Sequence, residues 1–214
     1  MKTPVYIVIA LVAAASGFAI YHFGIAPRMD AQPPQAAAET DASPAPTIPD
    51  VLPDFTLADM DGQPRSIRSW PDKSMIVNFW ATWCAPCRRE IPLLNQIQAE
   101  HGAEGFQIVG VAVDFREDVL EYAQEIGIHY PVLIGEQDGL DAVNKFGQGS
   151  LGFPFTVFTD DQQRIVLFHL GELHEAQAQV MLDAVRKVNR GELTPQAARA
   201  VAAKQLATLA PPAE

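Results

Sequence analysis

This sequence of 214 residues has little cysteine and little positive charge. Its two cysteines supply half of the four ligands that a structural zinc site normally takes, and its five histidines show no ligand spacing near them. Lys and Arg number 15 against 26 Asp and Glu, a net charge of −11, whereas nucleic-acid binding needs a basic surface. We therefore expect neither a metal site nor a nucleic-acid partner.

An uncharged run from Val5 to Ala26 follows Lys2 near the amino terminus. A helix of this length reaches ~33 Å, enough to cross the hydrocarbon core of a bilayer. The apolar core of a cleaved secretory signal is usually only ~7–15 residues long, although Gly17–Ala19 leaves a cleavage site open. The apolar run continues beyond that point, and the charge of Lys2 favours a cytoplasmic amino terminus. Residues 1–26 are therefore predicted to be an anchor, with the rest of the chain outside the cytoplasm.

Composition divides the remaining chain into three parts. Residues 27–49 carry six prolines and six alanines, and this composition predicts a flexible tether. Residues 50–190 have the size of a single domain. In the Ala-rich tail, residues 191–214, Thr194 followed by Pro195 predicts the start of a short helix.

Within residues 50–190, short apolar runs alternate with helical patterns, which indicates an α/β fold with a mixed sheet flanked by helices. The predicted elements are a hairpin (54–67), a buried strand (75–81), a helix with an apolar stripe at Ile91, Leu94 and Ile97, a second buried strand (106–114), a helix (117–127), a strand (130–135), a helix (140–147), an antiparallel strand pair (155–160 and 164–171) and a last helix (174–191).

Both cysteines lie in the stretch NFWATWCAPCRREIP, where the predicted strand gives way to the helix. Unpaired N–H groups and the helix dipole stabilise a thiolate at such a helix start, and Cys-X-X-Cys motifs lower the thiol pKa. Pro86 suits the first turn. Cys87 shares a helical face with Ile91 and Leu94, so we expect it to point inward and Cys84 to lie at an exposed tip. This asymmetry is what an attacking and a resolving thiol need.

A purely structural disulfide is the main alternative for this pair. A bond that closes so small a loop gains little from loop entropy, which grows with loop length. Redox chemistry needs only the two thiols in an exported compartment, and no cofactor besides them. We therefore interpret the pair as a redox-active dithiol.

Four segments carry a family resemblance: PDFTLADMDGQPRSI, VNFWATWCAPCRREIP, GFPFTVFTD and LGEL. In this order, behind an anchor, they resemble the membrane-anchored thioredoxin-like proteins of the bacterial TlpA/ResA group. The resemblance implies a thioredoxin-like fold with an N-terminal hairpin and a strand–helix insert at about residues 115–147. It also implies an enzyme, a protein-disulfide reductase, on a single-pass anchor in the cytoplasmic (inner) membrane, with its domain facing the periplasm or cell exterior.

The same resemblance implies the partners. Typical clients are the cysteine pairs of apocytochrome c before haem attachment, as in cytochrome c biogenesis, or those of proteins that assemble respiratory copper sites. Electrons come from a membrane thiol transporter.

Roles for individual residues follow from the matched motifs. Cys84 corresponds to the attacking nucleophile and Cys87 to the resolving thiol. Pro154 corresponds to a cis-proline that faces the disulfide, and a cis bond there would present the backbone of Phe153 to an extended client peptide. Trp83 matches the tryptophan before the nucleophile, although packing alone explains it about as well.

The chain departs from ordinary thioredoxin in the strand that leads to the cysteines. Thioredoxin has a buried Asp where this chain has Asn78, which cannot take a proton. Glu90 matches an acid that several members carry three residues after the second cysteine, and it could accept the proton of Cys87. The alternative is a solvated side chain in an early helical turn, flanked by Arg88 and Arg89.

Three other functions remain open on this fold. A thiol oxidase would use positive charge between its cysteines, and Ala85-Pro86 supplies none. A peroxiredoxin-like peroxidase also begins with a segment like PDFTL, but its cysteine follows Pro-X-X-X-Thr-X-X. A copper-binding chaperone would need a third ligand in the space that Pro154 occupies. A reductase is therefore the favoured hypothesis.

Overall fold

The computed structural model describes residues 48–147 and 152–209, which contain seven strands and five α-helices. The strands are β1 (Thr56–Asp59), β2 (Pro64–Ser66), β3 (Ser74–Trp80), β4 (Phe106–Val113), β5 (Val132–Gly135), β6 (Phe155–Thr159) and β7 (Ile165–Leu170). The helices are α1 (Ala85–His101), α2 (Arg116–Ile126), α3 (Gln137–Asn144), α4 (Glu175–Asn189) and α5 (Pro195–Leu206). Each predicted element of the domain is present, with bounds that differ by a few residues.

The strands form one mixed sheet in the order β2-β1-β5-β4-β3-β6-β7. The central pairs β3–β4 and β4–β5 are parallel, whereas β6, β7, β1 and β2 join by antiparallel pairing. All seven residues of β3 are buried, as expected for a strand covered on both faces. The mixed α/β thioredoxin-like fold is therefore confirmed.

The hairpin and the insert occupy the side of the sheet away from β7. The β1–β2 turn contains Gly62 at φ 80°, and Asp59 Oδ1 accepts hydrogen bonds from the backbone N–H groups of Asp61 (3.0 Å) and Gln63 (2.9 Å). Strand β5 lies between β4 and β1, and α3 follows it directly. Both lie within residues 115–147, where the resemblance places the strand–helix insert, together with helix α2.

Side chains of β3 alternate between two different cores. We call the face that carries Ile76, Asn78 and Trp80 the cysteine face, because these residues lie on the side of the sheet where α1 packs with Cys84 and Cys87. Val77 and Phe79 belong to the other side, which we call the aromatic face. Phe79 stacks there on Phe155 (4.4 Å between ring centroids) and meets the edge of the Phe146 ring (5.2 Å).

The C-terminal tail contributes the predicted helix α5. The Thr194 hydroxyl accepts a hydrogen bond from Ala197 N (3.2 Å), with Pro195 in the first turn. Buried Ala198 belongs to the core of the cysteine face. Arg199 donates to the carbonyl oxygens of Ile165 (2.6 Å) and Val166 (3.1 Å) on edge strand β7. The helix therefore covers part of that edge.

The predicted anchor, residues 1–26, and nearly all of the tether, residues 27–49, lie outside the described residues. Within residues 48–147 and 152–209, no helix combines the length and the apolar character that crossing a bilayer requires.

Candidate active site

The two cysteines lie between the end of β3 and the first turn of α1, as predicted. Cys84 is the N-cap residue of α1, and its sulfur accepts a hydrogen bond from Cys87 N (3.3 Å). Pro86 lies in the first turn, where a backbone N–H would have no partner within the helix, so its lack of an N–H costs no hydrogen bond. The two sulfurs are joined in a disulfide, with 5.3 Å between the Cα atoms. Negative charge on Cys84 would therefore meet a backbone donor and the positive end of the helix dipole.

Cys84 is less exposed than the sequence predicted. Only 5% of its surface is accessible, and Cys87 has none. Cys84 is not an exposed tip because its sulfur is bonded to the sulfur of buried Cys87 and also accepts a hydrogen bond from Cys87 N. Cys84 is nevertheless the more accessible residue of the pair, which is the direction that was predicted.

Glu90 lies one turn after Cys87 and is 1% exposed, so the solvated alternative is wrong. Residues three apart on a helix are neighbours, and both belong to the buried face of α1. Burial raises the pKa of Glu90 to about 7, against the opposing effect of hydrogen bonds from Leu173 N and Asn78. Glu90 can therefore exchange a proton near neutral pH.

The Glu90 carboxylate receives one hydrogen bond at each oxygen. Asn78 Nδ2 donates to Oε1 (2.7 Å), and Leu173 N donates to Oε2 (2.7 Å). Asn78 Nδ2 also donates to Thr156 Oγ1 (3.0 Å) on the adjacent strand β6. Asn78 and Thr156 are both fully buried. The carboxylate is therefore bonded to β3 and to the loop after β7.

The loop after β7 connects Glu90 to the proline segment. Gly171 N donates to Pro154 O (2.9 Å), and the Arg89 guanidinium donates to the Glu172 carboxylate. His169 Nε2 lies 3.1 Å from Glu172 O, and burial lowers the pKa of His169. Backbone and side-chain bonds thus hold this loop against both α1 and the loop before β6.

The Phe153–Pro154 peptide bond is cis, as the resemblance implied. Trp83 is 70% exposed, with its ring 6.0 Å from that of Phe153. These two rings line a surface cavity of about 420 Å³, together with Val113, Asp114, Phe115, Glu136, Gln137 and Leu140. The walls of the cavity are mostly apolar, and the cavity lies beside Trp83, the residue that precedes Cys84.

The sequence marks Asn78 and Glu90 separately without pairing them, and it assigns no role to Leu173 or Thr156. The pairing of Asn78 with Thr156 follows from the β3–β6 register, which no local pattern reveals. Leu173 acts through its backbone N–H, so its side chain carries no signal. The LGEL segment was the available clue, because a resemblance motif far from the cysteines points to the same site.

In residues 48–147 and 152–209, no group of three or more His, Cys, Asp or Glu side chains is arranged to hold a metal ion.

Residues 48–168 match the AhpC/TSA family. The chain is 29% identical over 135 residues to "Thiol-disulfide oxidoreductase ResA" of Geobacillus thermodenitrificans, which covers 63% of this chain and 75% of that protein. It is also 29% identical over 137 residues to "Thioredoxin-like protein YneN" of Bacillus subtilis, covering 61% of this chain and 76% of the relative.

The fold is also similar to that of a solved structure from Chlorobium tepidum TLS. It is described as a "thiol:disulfide interchange protein, thioredoxin family protein" and is 33% identical. The superposition has a TM-score of 0.55 and covers 68% of this chain and 97% of the other. The sequence and the fold are therefore both similar to those of thioredoxin-like proteins that exchange thiols and disulfides.

Proposed function

The chain belongs to the AhpC/TSA family and is a thiol–disulfide oxidoreductase of the thioredoxin fold, and from this premise we propose that it reduces disulfides of client proteins outside the cytoplasm. The observation that carries the proposal is the Cys84–Cys87 disulfide at the start of α1, with the buried acid Glu90 one turn later.

The reaction starts from the reduced dithiol. The Cys84 thiolate attacks one sulfur of the client disulfide, forming a mixed disulfide and releasing the first client thiolate, which takes up a proton. The Cys87 thiol then loses its proton, attacks the Cys84 sulfur and releases the second client sulfur as a thiolate, which is protonated in turn. The client gains two electrons and two protons, and the Cys84–Cys87 disulfide is re-formed.

Glu90 is the proposed acceptor for the Cys87 proton. Cys87 has no accessible surface, so water has poor access to its thiol. A carboxylate one helical turn away, with a pKa of about 7, is matched to proton transfer near neutral pH. It later returns the proton to solvent or to the departing client sulfur.

Trp83, Phe153 and Pro154 are the proposed client-binding residues. Pro154 is buried, whereas Phe153 is partly exposed and Trp83 largely so. An extended client could pair with the Phe153 backbone and rest apolar side chains on the Trp83 ring. Removing either ring should weaken client binding more than it slows the exchange step.

Reduction is favoured over oxidation by the residues between the cysteines. A strong oxidant stabilises its reduced thiolate with added positive charge, and Ala85-Pro86 adds none. We therefore expect a reduction potential nearer ~−270 mV than ~−120 mV. Alkylation of thiols in intact cells tests this direction. A mostly reduced pair agrees with a reductase, and a mostly oxidised pair contradicts the proposal.

Peroxide reduction is a second candidate, because the AhpC/TSA match and the PDFTL segment are features that peroxiredoxins share. The two candidates differ in what oxidises Cys84. Stopped-flow measurements of the reduced full-length protein should show slow reaction with hydrogen peroxide and fast reaction with a protein disulfide. The opposite order would identify a peroxidase.

The proposed clients are cysteine pairs of apocytochrome c or of proteins that assemble respiratory copper sites, and the proposed electron donor is a membrane thiol transporter. Mass spectrometry of proteins trapped on the Cys87→Ser variant decides between the clients. If no cysteine-containing protein is trapped while the protein binds Cu(I) tightly, the copper chaperone is the better hypothesis.

Anchoring through residues 1–26 is part of the same proposal. Alkaline phosphatase fused after Ile48 should be active and should sediment with membranes. Activity in the soluble extracytoplasmic fraction would instead indicate cleavage near Ala19.

A further inference from the structure

We propose that Asn78 is a positioning residue that hydrogen-bonds Glu90 in both of its protonation states, by rotating its side-chain amide through a half-turn. The inference rests on the proposed role of Glu90 as the acceptor of the Cys87 proton. A proton acceptor must be stable both before and after it takes the proton, and Asn78 is its side-chain partner in the structure.

The observed arrangement suits the ionised carboxylate. Asn78 Nδ2 and Leu173 N each donate to a different Glu90 oxygen, at 2.7 Å in both cases. Hydrogen bonds to the charged form favour that form, and this offsets part of the cost of burying the charge. Both partners are donors, so in this arrangement a protonated Glu90 would have no acceptor for its carboxyl O–H.

The protonated acid needs an acceptor, and Asn78 has one available. Its Oδ1 atom is buried and has no hydrogen-bond partner among the described residues. An amide carries two donor hydrogens on nitrogen and two acceptor sites on oxygen. A half-turn of the amide would put Oδ1 where Nδ2 now lies, facing Glu90 Oε1.

The amide of Asn78 can keep a hydrogen bond to Thr156 when it rotates. In the present orientation, the two Nδ2 hydrogens go to Glu90 Oε1 and Thr156 Oγ1. After rotation, Oδ1 would accept from the Glu90 carboxyl O–H and from the Thr156 hydroxyl, since a hydroxyl can donate as well as accept. The other end of the amide is unpaired in either orientation, so the two states have the same number of hydrogen bonds.

An aspartate could not serve in this position in the same way. Two buried carboxyl groups at hydrogen-bond distance share one proton, because both cannot ionise together. Asn78 has no proton to exchange, so Glu90 titrates without a second acid on β3. Central strand β3 is paired on both sides, which keeps the backbone of Asn78 fixed while its amide turns.

Other charged and titratable groups surround Glu90 and must be included in any pH profile. Cys87 lies one turn earlier on α1. Tyr130, before β5, has its pKa raised by burial and by the charge of Glu90. Glu172 raises the pKa of Glu90, and its carboxylate is bonded to Arg89.

The direct test follows the Asn78 amide by NMR in the oxidised full-length protein. As the pH falls through the pKa of Glu90, the Asn78 NH2 protons should lose their contacts to the Thr156 side chain, and the amide signals should shift with the same midpoint. Glu90→Gln should abolish this transition. If the NH2 protons keep their contacts to Thr156 below the pKa of Glu90, the amide does not rotate and the proposal is wrong.

Variants of Asn78 provide a second measurement, the Glu90 pKa from carboxyl carbon shifts. Asn78→Leu removes the bond in both states, and the bond to the charged form is the stronger one, so the pKa should rise by about one pH unit. Thr156→Val is the matched control, because it keeps the Asn78–Glu90 bond and should leave the pKa nearly unchanged. An unchanged pKa in Asn78→Leu would overturn the proposal.

Asn78→Asp, which is nearly isosteric, covers the case in which Asn78→Leu fails to fold. Two carboxyl groups should then titrate in separate steps, one above and one below the parent midpoint. A single step at the parent midpoint would contradict the proposed contact.

These readouts need neither client nor dithiol turnover. If they behave as expected while Glu90→Gln reduces clients with the parent pH profile, the proposed role of Glu90 in the reaction fails and the role of Asn78 toward Glu90 stands.

Discussion

The two faces of the central strand are built from different chemistry. On the aromatic face, Phe79 stacks on the Phe155 ring and meets the edge of the Phe146 ring. On the cysteine face, the adjacent residue Asn78 is part of a buried polar network that reaches Glu90 one turn from Cys87. Residues next to each other in sequence therefore face an apolar cluster on one side of the sheet and a polar network on the other.

The difference follows from the twofold alternation of a β-strand. Adjacent side chains of β3 point to opposite faces, so a polar residue can join the network around Glu90 without disturbing the apolar packing on the other face. We expect substitutions on the aromatic face to change the free energy of unfolding, and substitutions on the cysteine face to change redox and titration behaviour.

The largest expected effect is on the cysteine pair. Cys87→Ser should trap a client as a stable mixed disulfide, because no thiol remains to resolve it, and Cys84→Ser should trap little. Both variants should lose disulfide reductase activity. Non-reducing gels of cells that express each variant measure the trapping. More trapping with Cys84→Ser than with Cys87→Ser would reverse the two roles.

Phe79→Ala tests the other face. It removes a fully buried ring with close aromatic neighbours, so the free energy of unfolding should fall by about 3–5 kcal/mol in urea denaturation. The fall in the free energy of unfolding should be smaller for Phe79→Leu. The pKa of Glu90 should be unaffected in both variants where the protein is folded. A shifted pKa would mean that the two faces are coupled.

Glu90→Gln should change how stability depends on pH. Burial raises the pKa of Glu90 from 4.5 to about 7, so between these values the folded protein holds a proton that the unfolded chain releases. The stabilisation from Glu90 is therefore fully present below about pH 4.5 and is lost as the pH rises from there through 7. The total loss in the free energy of unfolding is about 3 kcal/mol. Subtracting the variant curve from the parent curve isolates this loss.

His169 contributes the opposite slope and provides the control. Burial lowers its pKa, so the unfolded chain takes up a proton first, and stability falls as pH drops below about 6.5. Glu90→Gln should leave that acid-side loss in place. If parent and variant show the same pH dependence, Glu90 does not titrate as a buried acid.

The smallest effect is expected at Arg199, far from both cysteines in sequence. Arg199→Ala removes two hydrogen bonds to carbonyl groups of β7, and the free energy of unfolding should fall by about 1–2 kcal/mol. The pH dependence attributed to Glu90 should remain. A lost pH dependence would show that helix α5 acts on the active site and not only on the sheet edge.

Much of the fold was predictable because its signals are local. The apolar run at residues 75–81, the Asp61-Gly62 turn and the Thr194-Pro195 helix start each identify an element from neighbouring residues. The position of Cys84 at a helix start followed in the same way. Its low exposure did not, because the direction of the sulfur depends on the folded first turn.

The burial of Glu90 was not predictable from the sequence. From the sequence, a glutamate flanked by Arg88 and Arg89 fits a solvated helix face as well as an active site. In the structure Glu90 is buried, and its carboxylate accepts hydrogen bonds from the backbone of Leu173, 83 residues away, and from the side chain of Asn78. Neither contact leaves a periodic pattern, since each joins elements that are distant in the chain.

The sequence by itself determined the order of the strands and helices, the place of the cysteines at the start of a helix and the alternation of β3 between two faces. These features depend on residue type and on spacing of two to four residues, which set backbone preference and burial. Only the tertiary structure decided the protonation behaviour of Glu90. That property depends on removal from water and on donors from two other segments, and these meet only when the sheet, α1 and the loop after β7 pack together.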